Sequence, residues 1–335
     1  MDETEPPQAD AINIPKILNW IFYNSDERRY RTLTRLAAHT AVLITLGVAL
    51  FVAFLPYRAL LLELGVDLSG WGLLMSVAFE VLLVISVMLI AGKALDRRNT
   101  RGFGLVFDRH ARFDLAFGFF LGAILIEIIF LAQYFMGWIV HRPRPVTSDL
   151  LATLTESFVL FIGVAIAEEF LSRSYHLTNL AEGLRFRWLP APAGIILAVL
   201  LSSAVFGGLH ALNPNASLTS TLCLVLAGVE LALPYVLTGR IALSVGMHLS
   251  WNFFQGSLFG FPVSGQRIGE SLIVIQQLGP ETWTGGAFGP EAGYLGILTI
   301  VLGCCAICFW VRVSYGSVRN RLLPFSKSAQ QDAVR

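Results

Sequence analysis

Eight apolar stretches of roughly membrane-spanning length recur along this chain, and they leave it few ways to fold. A bilayer core takes about 20 apolar residues per helix, and within it each backbone N–H and C=O must find its partner inside the protein. The expected fold is therefore all-α, a polytopic membrane bundle of about eight transmembrane helices. Composition agrees: 55% of the 335 residues are hydrophobic and 14% charged, against about 25% charged in soluble domains. The spans are expected at about Thr40 to Leu61, Trp71 to Ala94, Asp114 to Val140, Leu151 to Leu180, Ala191 to Leu212, Thr219 to Leu237, Ile241 to Phe261 and Ala292 to Val313. Gly118 and Gly122 make a candidate close-packing pair in the third.

Charge sets an expected orientation. Of the 24 Lys and Arg, only Arg58, Arg142, Arg144 and Arg267 fall between spans on one side and Arg173 lies inside a span; all others gather on the opposite side. By the positive-inside rule both termini are cytoplasmic, which an even number of helices satisfies. The acidic start, Met1 to Pro7, lacks the basic character of a secretory signal, so no cleavage is expected. Ile14 to Tyr23 reads as an interfacial segment and Arg319 to Arg335 as a solvated tail. The divisions are then a cytoplasmic or interfacial segment over residues 1–38, one membrane domain over 39–313 and a tail over 314–335. The connection from about Pro262 to Glu291 is expected to be a surface loop, and the polar stretch from Arg97 to Asp114 a solvated basic loop. A net charge of +1 with no basic stripe gives no reason to expect a nucleic-acid partner. Four cysteines, Cys223, Cys304, Cys305 and Cys308, sit in apolar runs and are expected to be buried hydrophobes.

Inside the fourth apolar run stands Ala167-Glu168-Glu169-Phe170-Leu171-Ser172-Arg173. Two adjacent carboxylates there are expensive unless something uses them. On a helix Glu169 and Arg173, four apart, share a face and can pair, while Glu168 points about 100° away. Glu168 is therefore the candidate base and Glu169 with Arg173 its support. The next intramembrane polar groups are Phe206-Gly207-Gly208-Leu209-His210 and His248-Leu249-Ser250-Trp251-Asn252, with His248 and Asn252 on one helix face. Glu80, Glu127 and Glu230 lie singly in spans and are expected to be structural, satisfied by partners or placed at helix ends. His176 is expected to cap the cytoplasmic end of the fourth helix, and His39, His110 and His141 to be solvated.

Glu-Glu-x-x-x-Arg, then Phe-x-x-x-His, then His-x-x-x-Asn, in that order on three membrane helices, resembles the CPBP family of intramembrane proteases. That family includes CAAX prenyl endopeptidases of the Rce1 type and bacterial Abi proteins. The resemblance covers Glu168 to Asn252 and implies an endopeptidase cutting near the C-terminus or membrane boundary of a membrane-associated or C-terminally tagged protein, in a bacterial-type inner membrane. It implies that Glu168 activates water, that His210 positions that water or moves its proton, and that His248 and Asn252 stabilise the oxyanion. Such families have been read both as glutamate proteases and as metalloproteases. No His-Glu-x-x-His occurs. A divalent ion such as zinc would be held by Glu168, His210 and His248, but a metal-free site is favoured because the Glu169–Arg173 pair sets a cation beside any metal. Two other readings stand against the protease: a transporter or proton-coupled carrier, and a catalytically silent scaffold or immunity protein. One geometric demand also follows. Alternating spans send Glu168 and His210 toward opposite faces unless the fourth helix runs beyond the bilayer or the fifth is shifted later.

Overall fold

The computed structural model describes residues 22–25, 27–65 and 69–322. Most of the expected interfacial segment and tail, residues 14–21 and 323–335, lies outside these. Two long helices open the bundle, α1 (Thr32–Glu63) and α2 (Ser69–Ala94), preceded by a small ribbon of β1 (Tyr23–Asn24) and β2 (Arg29–Tyr30). Then come α3 (Arg109–Phe135), β3 (Ile139–Pro143), α4 (Ser148–Glu169), a π-helical stretch at Phe170–Leu177 and α5 (Thr178–Gly183). The remainder is α6 (Ala191–Leu209), α7 (Leu218–Thr238), α8 (Ala242–Phe253) with a π-helical end at Phe254–Leu258, β4 (Ile273–Gln277), the single turn α9 (Glu281–Thr284) and α10 (Tyr294–Tyr315). The all-α bundle expected from the apolar runs is what forms.

Seven helices among the described residues are long and apolar enough to cross a membrane, one fewer than the runs suggested. The exception is the expected span Ile241 to Phe261. Its helix ends at Leu258 because Gly260, at φ +71°, turns the chain away. Leu243, Met247 and Leu249 are buried, so α8 is a core helix whose apolar residues face protein. The third span also ends early: Gly137, at φ +70°, follows Phe135, and the chain enters β3.

The fourth span is the longest. Its α, π and α segments run on from Ser148 to Gly183, 36 residues, roughly 50 Å at 1.5 Å per residue against about 30 Å of hydrocarbon. This supplies the extension that the geometry of Glu168 and His210 demands. Its far end is held by charge. Glu182 accepts from Arg29, from Arg35 at 3.0 Å and from Arg98 at 3.0 Å, while Arg35 reaches Asp96 at 2.6 Å. The stretch expected to be a solvated basic loop thus begins in a buried ion cluster. His39 is not solvated either: it is 1% exposed, stacked on Tyr175 at 3.8 Å, and neither ring nitrogen is bonded. His176 stands inside the π-helical stretch and caps no helix end. Of the cysteines only Cys223 is buried; Cys305 is exposed.

Helices α3 and α8 make the closest approach in the bundle, and glycine permits it. A Cβ on Gly118 would strike the Leu243 carbonyl, one on Gly122 the Met247 carbonyl, and one on Gly246 the Leu115 carbonyl. The expected pair Gly118 and Gly122 does pack closely, against a third glycine on the partner helix. We expect Gly246→Val to cost more than about 3 kcal/mol, as overpacking against backbone cannot relax, and to abolish monodisperse protein in detergent. Gly208→Ala, whose added Cβ meets nothing within 4 Å, should leave the thermal midpoint unchanged or raised.

Candidate active site

The fully buried Glu169 ties two helices together. Its Oε2 lies 3.2 Å from Arg173 Nε one turn on, and its Oε1 lies 2.9 Å from His248 Nδ1 on α8. Arg173 is 1% exposed, donates from Nη2 to the Gly228 carbonyl of α7 at 3.1 Å, and lies over the Phe206 ring of α6 at 4.5 Å. One ion pair thus gathers four elements. The expected pairing of Glu169 with Arg173 is present, on a backbone that becomes π-helical at Phe170. Such bulges are rare and often mark functional sites.

His210 is positioned by the end of α6. Its own N–H bonds the Gly207 carbonyl, which leaves the Phe206 carbonyl without its usual helical partner. His210 Nδ1 takes that place at 2.8 Å. A carbonyl can only accept, so Nδ1 carries the proton and Nε2 of the neutral ring is a lone pair. His248 is fixed the same way: its Nδ1 donates to Glu169, and Nε2 faces into the site. His248 can therefore donate from Nε2 only as imidazolium.

Both Nε2 atoms converge on Glu168. Its Oε2 lies 3.8 Å from His210 Nε2 and 3.9 Å from His248 Nε2, beyond hydrogen-bond reach. That oxygen is enclosed and has no hydrogen-bond partner. Glu168, His210, His248 and Asn252 all line one cleft of about 600 Å³. All four candidate catalytic residues are together, and Glu169 and Arg173 stand behind them.

The donor types suit a divalent ion, since imidazoles with Nδ1–H held by a carboxylate and a carbonyl are usual metal ligands. As they stand, no three His, Cys, Asp or Glu side chains among the described residues are gathered to hold an ion.

The connection from Pro262 to Glu291 is not the plain surface loop expected. Val263, Ser264 and Gln266 line the cleft, and β4 within the same connection pairs antiparallel with β3. Asn213, three residues past His210, donates to the Ser264 carbonyl at 2.9 Å. From the short 3-10 turn just before α10, Glu291 accepts from Gln255 Nε2 and from the Ser264 N–H. Phe206, the first residue of the Phe-x-x-x-His motif, acts through its carbonyl and ring; two residues with roles here carried no sequence signal, Gly228 through its carbonyl and Glu291, which looked like a loop residue.

Residues 150–254 match the family described as type II CAAX prenyl endopeptidase, Rce1-like. The matched stretch runs from the first turn of α4 to the end of α8 and includes Glu168, Glu169, Arg173, His210, His248 and Asn252, but not Glu291 or the loop residues that complete the cleft. No curated protein and no solved structure matches the chain. The chain is thus an integral membrane protein in which residues 150–254 are similar to the Rce1-like family of CAAX-type intramembrane peptidases.

Two outcomes follow from these contacts. Glu169→Gln strands the Arg173 charge in the bundle, so thermal unfolding in detergent should show a loss of about 3–5 kcal/mol. The double variant Glu169→Gln/Arg173→Met should recover much of it, and equal losses in both would show that charge pairing is not what Glu169 supplies. Burial pushes the Glu291 carboxyl up to about 7, against the Gln255 and Ser264 donors that favour its ionised form. Because that lies above the unfolded value near 4.5, the folded state holds the extra proton. Its contribution is full below that lower value and is lost as pH rises through 7, by about 3 kcal/mol. The thermal midpoint should fall from pH 5 to 8 with a slope that Glu291→Gln flattens.

Proposed function

From the Rce1-like domain and the site it builds, we propose that this chain is an intramembrane endopeptidase in which Glu168 activates the hydrolytic water without a metal. The supporting observation is the enclosed Glu168 Oε2, unbonded and faced by two imidazole Nε2 atoms at 3.8 and 3.9 Å. A water at Glu168 gives one hydrogen to the carboxylate and the other to the lone pair of His210 Nε2, which turns its own lone pair toward a scissile carbonyl. Glu168 takes the proton as the C–O bond forms, and the same proton goes to the leaving amine as the C–N bond breaks. Asn252 offers an amide donor to the oxyanion, joined by His248 when that ring carries both protons. Glu169 and Arg173 do not touch substrate; they hold His248 in place.

The substrate is a membrane-associated protein, or one tagged at its C-terminus, cut near that terminus or at the membrane boundary. The distribution of Lys and Arg favours both termini in the cytoplasm of a bacterial-type inner membrane; because seven crossings would put them on opposite sides, this orientation requires α8 to make an eighth crossing inside the bundle. Were an ion bound, Glu168, His210 and His248 would hold it, and it would supply Lewis-acid activation of the water.

The test compares wild-type and Glu168→Gln protein, both shown folded, each co-expressed with a broad pool of membrane proteins whose new C-termini are read by mass spectrometry. Wild-type termini should drop at least about 100-fold in the variant and survive chelation. Loss on chelation would transfer the chemistry to a metal held by those three residues. An absence of new termini in both samples would turn the assignment to a carrier or a silent scaffold.

A further inference from the structure

Besides Glu168, three carboxyl groups line the cleft: Glu80, Glu230 and Glu291. Glu291 is bonded to Gln255 and Ser264, and Glu80 is exposed. Glu230 is different. It is 3% exposed, in the middle of α7, and its Oε1 is enclosed with no hydrogen-bond partner. No Arg, Lys or His among the described residues is paired with it. The expectation that a partner satisfies it fails.

The surrounding chain makes room for this group. Gly303 on α10 faces the carboxyl, and a Cβ there would collide with Glu230 Oε1. Pro234, one turn on, supplies no N–H to the Glu230 carbonyl, which loosens α7 at this residue. An apolar side chain would pack here without the cost of an unpaired buried polar group. With Oε1 sealed against Gly303 and Oε2 neither enclosed nor bonded, this carboxyl in the wall of the cleft is placed to meet the substrate through Oε2.

We propose that Glu230 is a specificity-determining residue that accepts a hydrogen bond from an uncharged side-chain donor of the substrate, an amide or a hydroxyl. This rests on the endopeptidase reading. The wall around it, Leu224, Ala227, Leu231, Met247 and Ile300, is apolar. A substrate ammonium or guanidinium would leave water for a single counter-charge and no further acceptor, a costly exchange. An amide or hydroxyl loses less on entry and can bond Oε2, the carboxyl oxygen that is not enclosed. A substrate lacking the donor leaves Glu230 unpaired, the situation in which polar sites discriminate most strongly. The scissile bond is then chosen by its fixed offset from a Ser, Thr, Asn or Gln.

The full-length protein is tested as wild type, Glu168→Gln, Glu230→Gln and Glu230→Leu, each with the same co-expressed pool and the same reading of new C-termini. Wild-type cuts should share one of those four residues at one offset. Glu230→Gln, whose amide oxygen still accepts, should keep that preference. Glu230→Leu should reduce cutting at these sites roughly tenfold relative to sites lacking the donor, while its thermal midpoint rises because an unpaired buried group has gone. An unchanged cleavage profile in Glu230→Leu overturns the proposal. A uniform fall in all cuts together with a lower midpoint also overturns it, since that is how a structural strut behaves. Lys or Arg at the shared offset likewise overturns it, since the proposal requires an uncharged donor. Wild-type termini that persist in Glu168→Gln would refute the protease reading instead, and this inference with it.

Discussion

Everything at the centre of this bundle depends on one buried anion having two partners. Glu169 is excluded from water, and a lone carboxylate at that depth would cost several kcal/mol. Arg173 answers its charge from the same helix and His248 answers it from α8. The second contact has the wider consequence, because it can form only if α8 comes deep into the bundle beside α4. The glycines between α3 and α8 serve that approach: Gly118, Gly122 and Gly246 let one backbone lie against the other, and α8 becomes a short core helix enclosed by longer ones. Arg173 extends the same constraint to α6 and α7 through the Phe206 ring and the Gly228 carbonyl.

Because Glu169 absorbs the structural duty, Glu168 is released from it. The two side chains are adjacent in sequence and differ in circumstance: one has every charge answered, the other keeps an enclosed oxygen with no partner. The helix makes the division, since neighbours point about 100° apart. The proton positions on the two histidines follow from their fixed Nδ1 acceptors, so the Nε2 atoms facing Glu168 are set by contacts on the far side of each ring. The site is oriented from behind, by a carboxylate for His248 and by a helix-end carbonyl for His210.

The spans were legible because apolar runs of bilayer length flanked by charge have one outcome. The exception, Ile241 to Phe261, failed for a physical reason: an apolar run reads alike whether lipid or protein surrounds it, and Gly260 ends the helix without breaking the run. The site was legible because Glu168, Glu169, Arg173, His210, His248 and Asn252 are costly in an apolar bundle, and their helical spacing states which can share a face. What stayed hidden was carried by backbone or by distant pairing. The Phe206 carbonyl has no sequence signature, the π-helical stretches after Glu169 and Phe253 are unmarked, and the partners of Arg98 and Asp96 lie on helices far along the chain. His39 was misread because a histidine near a span end looks the same whether it meets water or stacks on Tyr175.

The connection after α8 and the cleft follow the same logic from opposite sides. Chain that leaves a membrane helix must satisfy its own polar groups, and the segment from Pro262 to Glu291 does so through Asn213, Gln255 and Glu291. Those bonds pin it at the site, so the residues that complete the cleft are fixed by the bundle. In the wall of the cleft, the carboxyl groups of Glu168 and Glu230 have no hydrogen-bond partner. A bundle selected for stability alone would have closed both with apolar side chains, as it does elsewhere along α4 and α7. An unmet hydrogen bond in such a wall is an unspent interaction, and it contributes free energy only when water or a substrate chain arrives to meet it.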